Sequence, residues 1–184
     1  MNANQRYYLL CSTPSDINEH LPTIRKHAEE CDIVVELGVR YVVSTWAFVA
    51  AKPKRLISVD IKHPSEFGAT DALDEVSAAC AEQGTQFEFL LGDSRKVELP
   101  DHDLLFIDTL HNYDILKEEL AKQSVRTRKY IIFHDTTTFG NRDESGGGRG
   151  LNPAISEFLS VNPKWSVKHV FTNNNGLTVL QKDI

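Results

Sequence analysis

No long basic run occurs in this 184-residue chain, and its formal net charge is −6. A nucleic-acid backbone is thereby disfavoured as the main partner, because phosphate binding draws on clustered Lys and Arg. Cys11, Cys31 and Cys80 are odd in number, scattered, and form no C-x-x-C pair. This argues against a disulfide framework or structural zinc and for a reducing, cytoplasmic setting. No apolar run approaches the roughly 20 residues of a membrane helix. The apolar stretch in "MNANQRYYLLCSTPSD" is too short for a signal peptide. Nothing in the pattern bears on oligomeric state.

What is present reads as one α/β domain over residues 1–184, with a helical N-terminal segment over 1–30. "DIVVEL" (32–37), "RLISVDI" (55–61), "FEFLLGD" (87–93), "DLLFID" (103–108) and "KYIIFHD" (129–135) are mostly continuous apolar runs. Strands of a parallel sheet covered on both faces have this composition. Between them the spacing is helical. Val42, Val43, Trp46, Val49 and Ala50 share one side of a helix ending before Pro53. Leu73, Val76 and Cys80 mark a second, with Thr70 as N-cap and Gly84 past its end. Tyr113, Leu116 and Leu120 mark a third; Ile155, Phe158 and Leu159 a fourth, capped by Asn152 with Pro153 at its first position. "LPTIRKHAEEC" reads as a helix before the first strand. The chain closes with "WSVKHVF" and "GLTVLQK", joined through Asn175-Gly176, a type I′ hairpin signal. The expected fold is Rossmann-like, with right-handed crossovers and a terminal antiparallel hairpin.

The glycine-rich segment 136–152 shows no periodicity and reads either as a surface insertion or as a lid over a site. It lacks the Lys-Ser/Thr ending of a triphosphate loop.

Ligands of open α/β sheets bind beyond the carboxyl ends of the strands. Those ends carry Glu36 and Gly38, then Asp60, then Asp93-Ser94, then Asp108 followed by His111, then His134-Asp135. Any one of these could be a helix cap. Together, on one edge, they form a candidate site. Asp60, 22 residues beyond Gly38, is placed to accept a ribose hydroxyl pair. Gly38 lets the backbone approach a ligand. The later glycines of a dinucleotide fingerprint are missing, and Tyr41, Val42 and Val43 stand in their place.

With "VVELGVRYVVST", "SVDI", "LLGDS", "LLFIDTLHNYD" and "YIIFHDTTTFG" in this order, the chain from about Cys31 onward resembles the class I S-adenosylmethionine-dependent methyltransferases. Within them it is similar to the small-molecule and sugar O-methyltransferases of the cephalosporin-hydroxylase and macrocin-methyltransferase group. The resemblance implies a seven-stranded, mainly parallel sheet with its last strand antiparallel. It places Glu36, Gly38, Val39, Arg40 and Ser44 around the methionine portion of the cofactor. It gives Asp60 the ribose hydroxyls, Asp93 and Ser94 the adenine, and Asp108 the sulfonium end. S-adenosylmethionine has no pyrophosphate, so later glycines are less needed, and Val42 and Val43 are free to serve the next helix. Asp108 and Asp135, with His134 beside them, are the residues implied to hold magnesium or another divalent cation. Asp108, His111 and Asp135 are the catalytic candidates, with His111 either a general base or a cap of the helix that follows. The implied acceptor is a sugar or small-molecule hydroxyl. Two other readings stay open: an NAD-dependent Rossmann oxidoreductase, and a non-catalytic partner subunit with the same fold.

Overall fold

The computed structural model describes residues 1–183. Seven strands form one sheet, β1 (Ile33–Leu37), β2 (Arg55–Asp60), β3 (Gln86–Leu91), β4 (His102–Ile107), β5 (Thr127–His134), β6 (Trp165–Phe171) and β7 (Leu177–Lys182), in the order β3-β2-β1-β4-β5-β7-β6. The first five pair in parallel, and β7 pairs antiparallel with both β5 and β6. This is the Rossmann-like sheet with the terminal hairpin expected above.

Side chains alternate across the sheet and divide the core in two. Val34, Leu56, Leu104, Phe106 and Ile132 pack under α1 (Ala3–Ser12), α2 (Leu21–Ala28), α3 (Thr45–Ala51) and α4 (Ala72–Glu82). Val35, Ile57, Leu105, Ile131 and Phe133 pack under α5 (Tyr113–Gln123) and α6 (Leu151–Val161). Both faces are apolar because both are covered, which is why the strands read as unbroken hydrophobic runs. Among the described residues no helix is long and apolar enough to cross a membrane.

Several local expectations shift. α3 begins at Thr45, so Val42 and Val43 precede it in a turn; Val42 takes a left-handed φ of 57° with its side chain buried. Its core partners hold it there although it lies outside the helix. α4 is preceded by Asp71 and not Thr70, with no side-chain cap. α6 starts at Leu151, so Asn152 lies inside the helix, where its N–H donates to the Gly140 carbonyl and not to a cap of its own. In the hairpin turn the left-handed pair is Asn174 and Asn175, closed by Gly176 N–H to the Asn173 carbonyl, one residue earlier than read.

Strand order reverses between β1 and β4, and the loops leaving their carboxyl ends separate there. Gly38 sits at that point with φ +88°, its N–H donating to the Val59 carbonyl. A Cβ on Gly38 would lie 1.9 Å from the Asp108 carbonyl oxygen. Gly68, with φ +86°, has nothing within 4 Å of the same position. The two glycines therefore separate backbone strain from steric overlap. Gly68→Ala should cost about 1 kcal/mol in urea unfolding, and Gly38→Ala about 3 kcal/mol or more. Equal losses would show that β1 and β4 are not in contact at this point.

Candidate active site

A cleft of about 780 Å³ opens at the carboxyl ends of the strands. Gly38, Val39, Arg40, Ser44, Asp60, Asp93, Ser94, Asp108, His111 and Asp135 all border it. Ten of the twelve site residues read from the sequence are thus brought together. Glu36 and His134 lie behind the wall.

Glu36 is wholly buried and accepts from Ser44 Oγ (2.6 Å), Thr45 Oγ1 (2.9 and 3.1 Å) and Ser58 Oγ (2.6 Å). It braces the loop after β1 against β2 and touches no ligand space. Burial pushes its carboxyl up to about 7 against the pull of those hydroxyls. Asp60 holds the same loop from the cleft side. Its Oδ2 accepts the N–H groups of Val39 (2.8 Å) and Arg40 (3.0 Å), and Oδ1 accepts that of Lys62. The backbone between these anchors is forced into left-handed φ at Arg40 and Val42.

At the β3 end Asp93 is occupied by Arg95, which grips both carboxylate oxygens and lowers the carboxyl to about 2. Ser94 turns to α5, donating to Glu119 Oε1 at 2.5 Å.

At the β4 and β5 ends Asp108, His111 and Asp135 each offer one donor atom, all within 4.8 Å of one another. His111 Nε2 lies 2.9 Å from Asp135 and 3.3 Å from Asp108, while Nδ1 meets Glu144 Oε1 at 2.5 Å. Phe139 stacks on its ring. The cap of α5 is Asn112, so His111 is not needed in that role. His134, expected as a cation ligand with Asp108 and Asp135, turns Nδ1 towards them (3.4 and 3.3 Å) and Nε2 to the carbonyls of Asp16 (3.1 Å) and Asn174 (3.3 Å). His111 stands in the tighter cluster with the two carboxylates. Asp135 has φ 62°, and its Oδ1 is buried with no hydrogen-bond partner.

The cleft also has walls that strand-end logic does not supply: Asp16 and Ile17 before α2, Phe139 and Glu144 from the glycine-rich segment, and Asn175 from the hairpin turn. None has a periodic signal. Glu119 does have one, since an acid at i+3 from Leu116, beside Leu120, breaks an otherwise apolar helix face.

No family model and no curated protein matches the chain. Solved structures do. The O-methyltransferase TomG from Streptomyces achromogenes, determined in complex with SAM, aligns over 94% of this chain and 82% of its own, with 14% identity and a TM-score of 0.62. The SAH-bound methyltransferase PaMTH1 from Podospora anserina aligns over 99% and 88%, with 15% identity and a TM-score of 0.62. A methyltransferase from Geobacter sulfurreducens aligns over 99% and 86%, with 16% identity and a TM-score of 0.62. This chain has the class I methyltransferase fold. Each of these alignments runs through nearly the whole length of this chain.

Asp108 and Asp135 beside His111 outweigh its burial and raise its pKa to about 10. A histidine raised in the folded state stabilises fully below its unfolded value near 6.5 and loses that contribution as pH climbs through 10. Thermal midpoints of the protein should therefore fall between pH 7 and 10, and less steeply in His111→Asn. Parallel curves for the two proteins would mean that His111 is not held as a cation.

Proposed function

We propose that the chain is an S-adenosylmethionine-dependent O-methyltransferase acting on a hydroxyl of a sugar or other small molecule. The observation that carries this reading is the single cleft gathering Gly38, Asp60, Asp93 and Asp108 at the strand-order reversal. It is supported by a fold shared with SAM- and SAH-bound methyltransferases.

The residues present fit such a cofactor. The Gly38–Arg40 backbone is held open by Asp60, whose half-buried carboxylate borders the cleft where a ribose hydroxyl pair would lie. Asp108, next to Gly38, sets a negative charge beside the position implied for a sulfonium. When bound, the cofactor supplies a methyl group whose carbon–sulfur bond breaks, its electron pair passing to sulfur as the acceptor oxygen bonds to carbon. The protein's contribution is chiefly to align the partners.

His111 keeps its proton at neutral pH, so it acts there as a donor and a local positive charge. Asp108 is the more exposed carboxylate of the cluster, its side chain 24% accessible against 6% for Asp135. Asp108 is therefore the group placed to accept the hydroxyl's hydrogen. Phe139 and Ile17 shield this end from water, while Asp16, Glu144 and Asn175 offer it polar contacts. Carboxylates at the rim disfavour an anionic acceptor and suit a neutral polyol.

The unpartnered Asp135 Oδ1 also fits a divalent cation. Asp108 and Asp135 would hold magnesium through oxygen, and His111 would join them as a ligand only by giving up its Nε2 proton to make room for the ion. Such an ion would lower the pKa of a bound hydroxyl.

S-adenosylhomocysteine should raise the thermal midpoint and NAD should not, because only a ligand bound to the folded form stabilises it. Asp60→Ala should lose most of that shift. No shift in the parent protein, or an undiminished one in the variant, would remove the cofactor or Asp60, respectively, from the cleft. Magnesium or manganese should likewise raise the midpoint of the parent and leave Asp135→Asn unmoved; identical responses would exclude Asp135 as a ligand.

A further inference from the structure

Besides the two aspartates, two groups hold the His111 ring, and both come from the glycine-rich segment 136–152. Phe139 lies almost parallel to the imidazole, with 6° between the planes and 4.7 Å between centroids. Glu144 Oε1 accepts the ring Nδ1–H at 2.5 Å and the backbone N–H of the same residue at 3.3 Å. Stacking fixes the plane of the ring. The Nδ1 bond then selects one of the two orientations that a half-turn about Cβ–Cγ would interchange. Nε2 is thereby aimed at Asp135, 2.9 Å away, and at Asp108, 3.3 Å away.

The Glu144 side chain is 45% accessible, and an ion pair this open to water contributes little unless its partners are already in place. Asp143 puts Glu144 in place. Its Oδ1 accepts the Ser145 hydroxyl at 2.7 Å and the Gly148 N–H at 3.1 Å. Its carbonyl accepts the Gly146 N–H at 3.0 Å, and its own N–H donates to the Gly148 carbonyl at 3.2 Å. These four bonds lie within one turn, with Glu144 at its tip. The neck below is closed by the Leu151 N–H on the Phe139 carbonyl and by Arg149, whose guanidinium stands 3.4 Å over the Tyr113 ring. We propose that Glu144 is a positioning residue for His111, presented by the turn that Asp143 folds, so that the glycine-rich segment is a working part of the cleft and not a surface insertion. The proposal rests on the methyltransferase reading for the use made of His111, and adds to it what sets the direction of the Nε2–H. A released ring would withdraw that N–H from the pair of carboxylates at which the acceptor hydroxyl is placed.

The test is proton–nitrogen NMR of the imidazole side chains in the full chain at neutral pH with no ligand added, His111 being assigned through His111→Asn. In the parent the His111 Nδ1–H should give a far-downfield signal protected from exchange with water. Glu144→Ala should abolish that signal. Glu144→Gln should restore it, because an amide carbonyl accepts the same bond. Asp143→Ala should abolish it as well, although the bonds of Asp143 stay within the turn. In that variant trypsin should cut after Arg142 at least about tenfold faster than in the parent, since the population of the open turn rises by the worth of the lost hydrogen bonds. A surface ion pair with no positioning role would leave the Nδ1 signal in place when the turn is opened. Survival of the signal in either alanine variant, or its absence from the parent, overturns the proposal. No cofactor takes part in these measurements, so their failure leaves the methyltransferase reading standing. Conversely, failure of S-adenosylhomocysteine to bind would sink that reading without moving the Nδ1 signal.

Discussion

The contact between the ends of β1 and β4 governs everything built on the sheet's carboxyl edge. Gly38 donates to Val59, Asp108 donates to the Leu37 carbonyl at 2.8 Å, and the Asp108 carbonyl occupies the space a Gly38 side chain would need. Two loops that leave in different directions are thereby locked together at their roots. The separation of Asp60 from Asp108, and so the dimensions of the cleft, follows from that lock. A side chain at position 38 would push the two loops apart, and no adjustment elsewhere could restore the floor between them.

The loop that follows is strained, and buried polar bonds hold the strain in place. Val42 is β-branched yet left-handed, a conformation that costs roughly 1–2 kcal/mol per residue. Two ties oppose it. On the core side Ser44 and Thr45 are bonded to Glu36, itself bonded to Ser58 of β2. On the cleft side Val39 and Arg40 are bonded to Asp60. Left-handed geometry is commonly left to glycine. Here valine adopts it because its side chain is packed in the core and its neighbours are fastened at both ends.

The architecture was legible in the sequence because buried parallel strands have a compositional signature that depends on no distant partner. The five apolar runs coincide with β1 to β5 within two residues, and the terminal hairpin was visible in Asn175-Gly176 with only its turn offset by one. The site was legible where strand ends dictate it, as at Gly38, Asp60 and Asp108. It was illegible where side-chain direction decides. Glu36 and Asp60 look alike as acids near strand ends, yet Glu36 lies one residue inside the end of β1, where both faces are covered, and Asp60 is the last residue of β2, where the cover ends. His134 and Asp135 are adjacent, but His134 closes β5 and Asp135 follows it with a left-handed φ, so only Asp135 borders the cleft. Helix starts misled because Thr70 and Asn152 are good caps by residue type, while packing set the boundaries.

His134 shows how the ends of the chain come to share one wall. Its Nε2 faces the carbonyls of Asp16 and Asn174, which only accept, so that nitrogen carries hydrogen. Its Nδ1 faces Asp108 at 3.4 Å and Asp135 at 3.3 Å, so that nitrogen carries hydrogen as well. The ring is therefore an imidazolium, in keeping with a pKa raised to about 10 despite burial. One buried cation thus joins the two carboxylates of the cluster to the segment before α2 and to the hairpin turn. Asn174 Nδ2 to the Ser15 carbonyl, Glu19 N–H to Asn174 Oδ1, and the N–H groups of Thr137 and Thr138 to the Asn175 carbonyl complete the junction. Asp16, Ile17 and Asn175 border the cleft only because of this knot. This end of the cleft is hence assembled from segments more than 150 residues apart, bonded in part through the Asn174 side chain and in part through backbone carbonyls. Neither Asn174 nor His134 belongs to a local pattern that names its distant partner, so that wall was hidden in the sequence, whereas the strand ends facing it were plain to read.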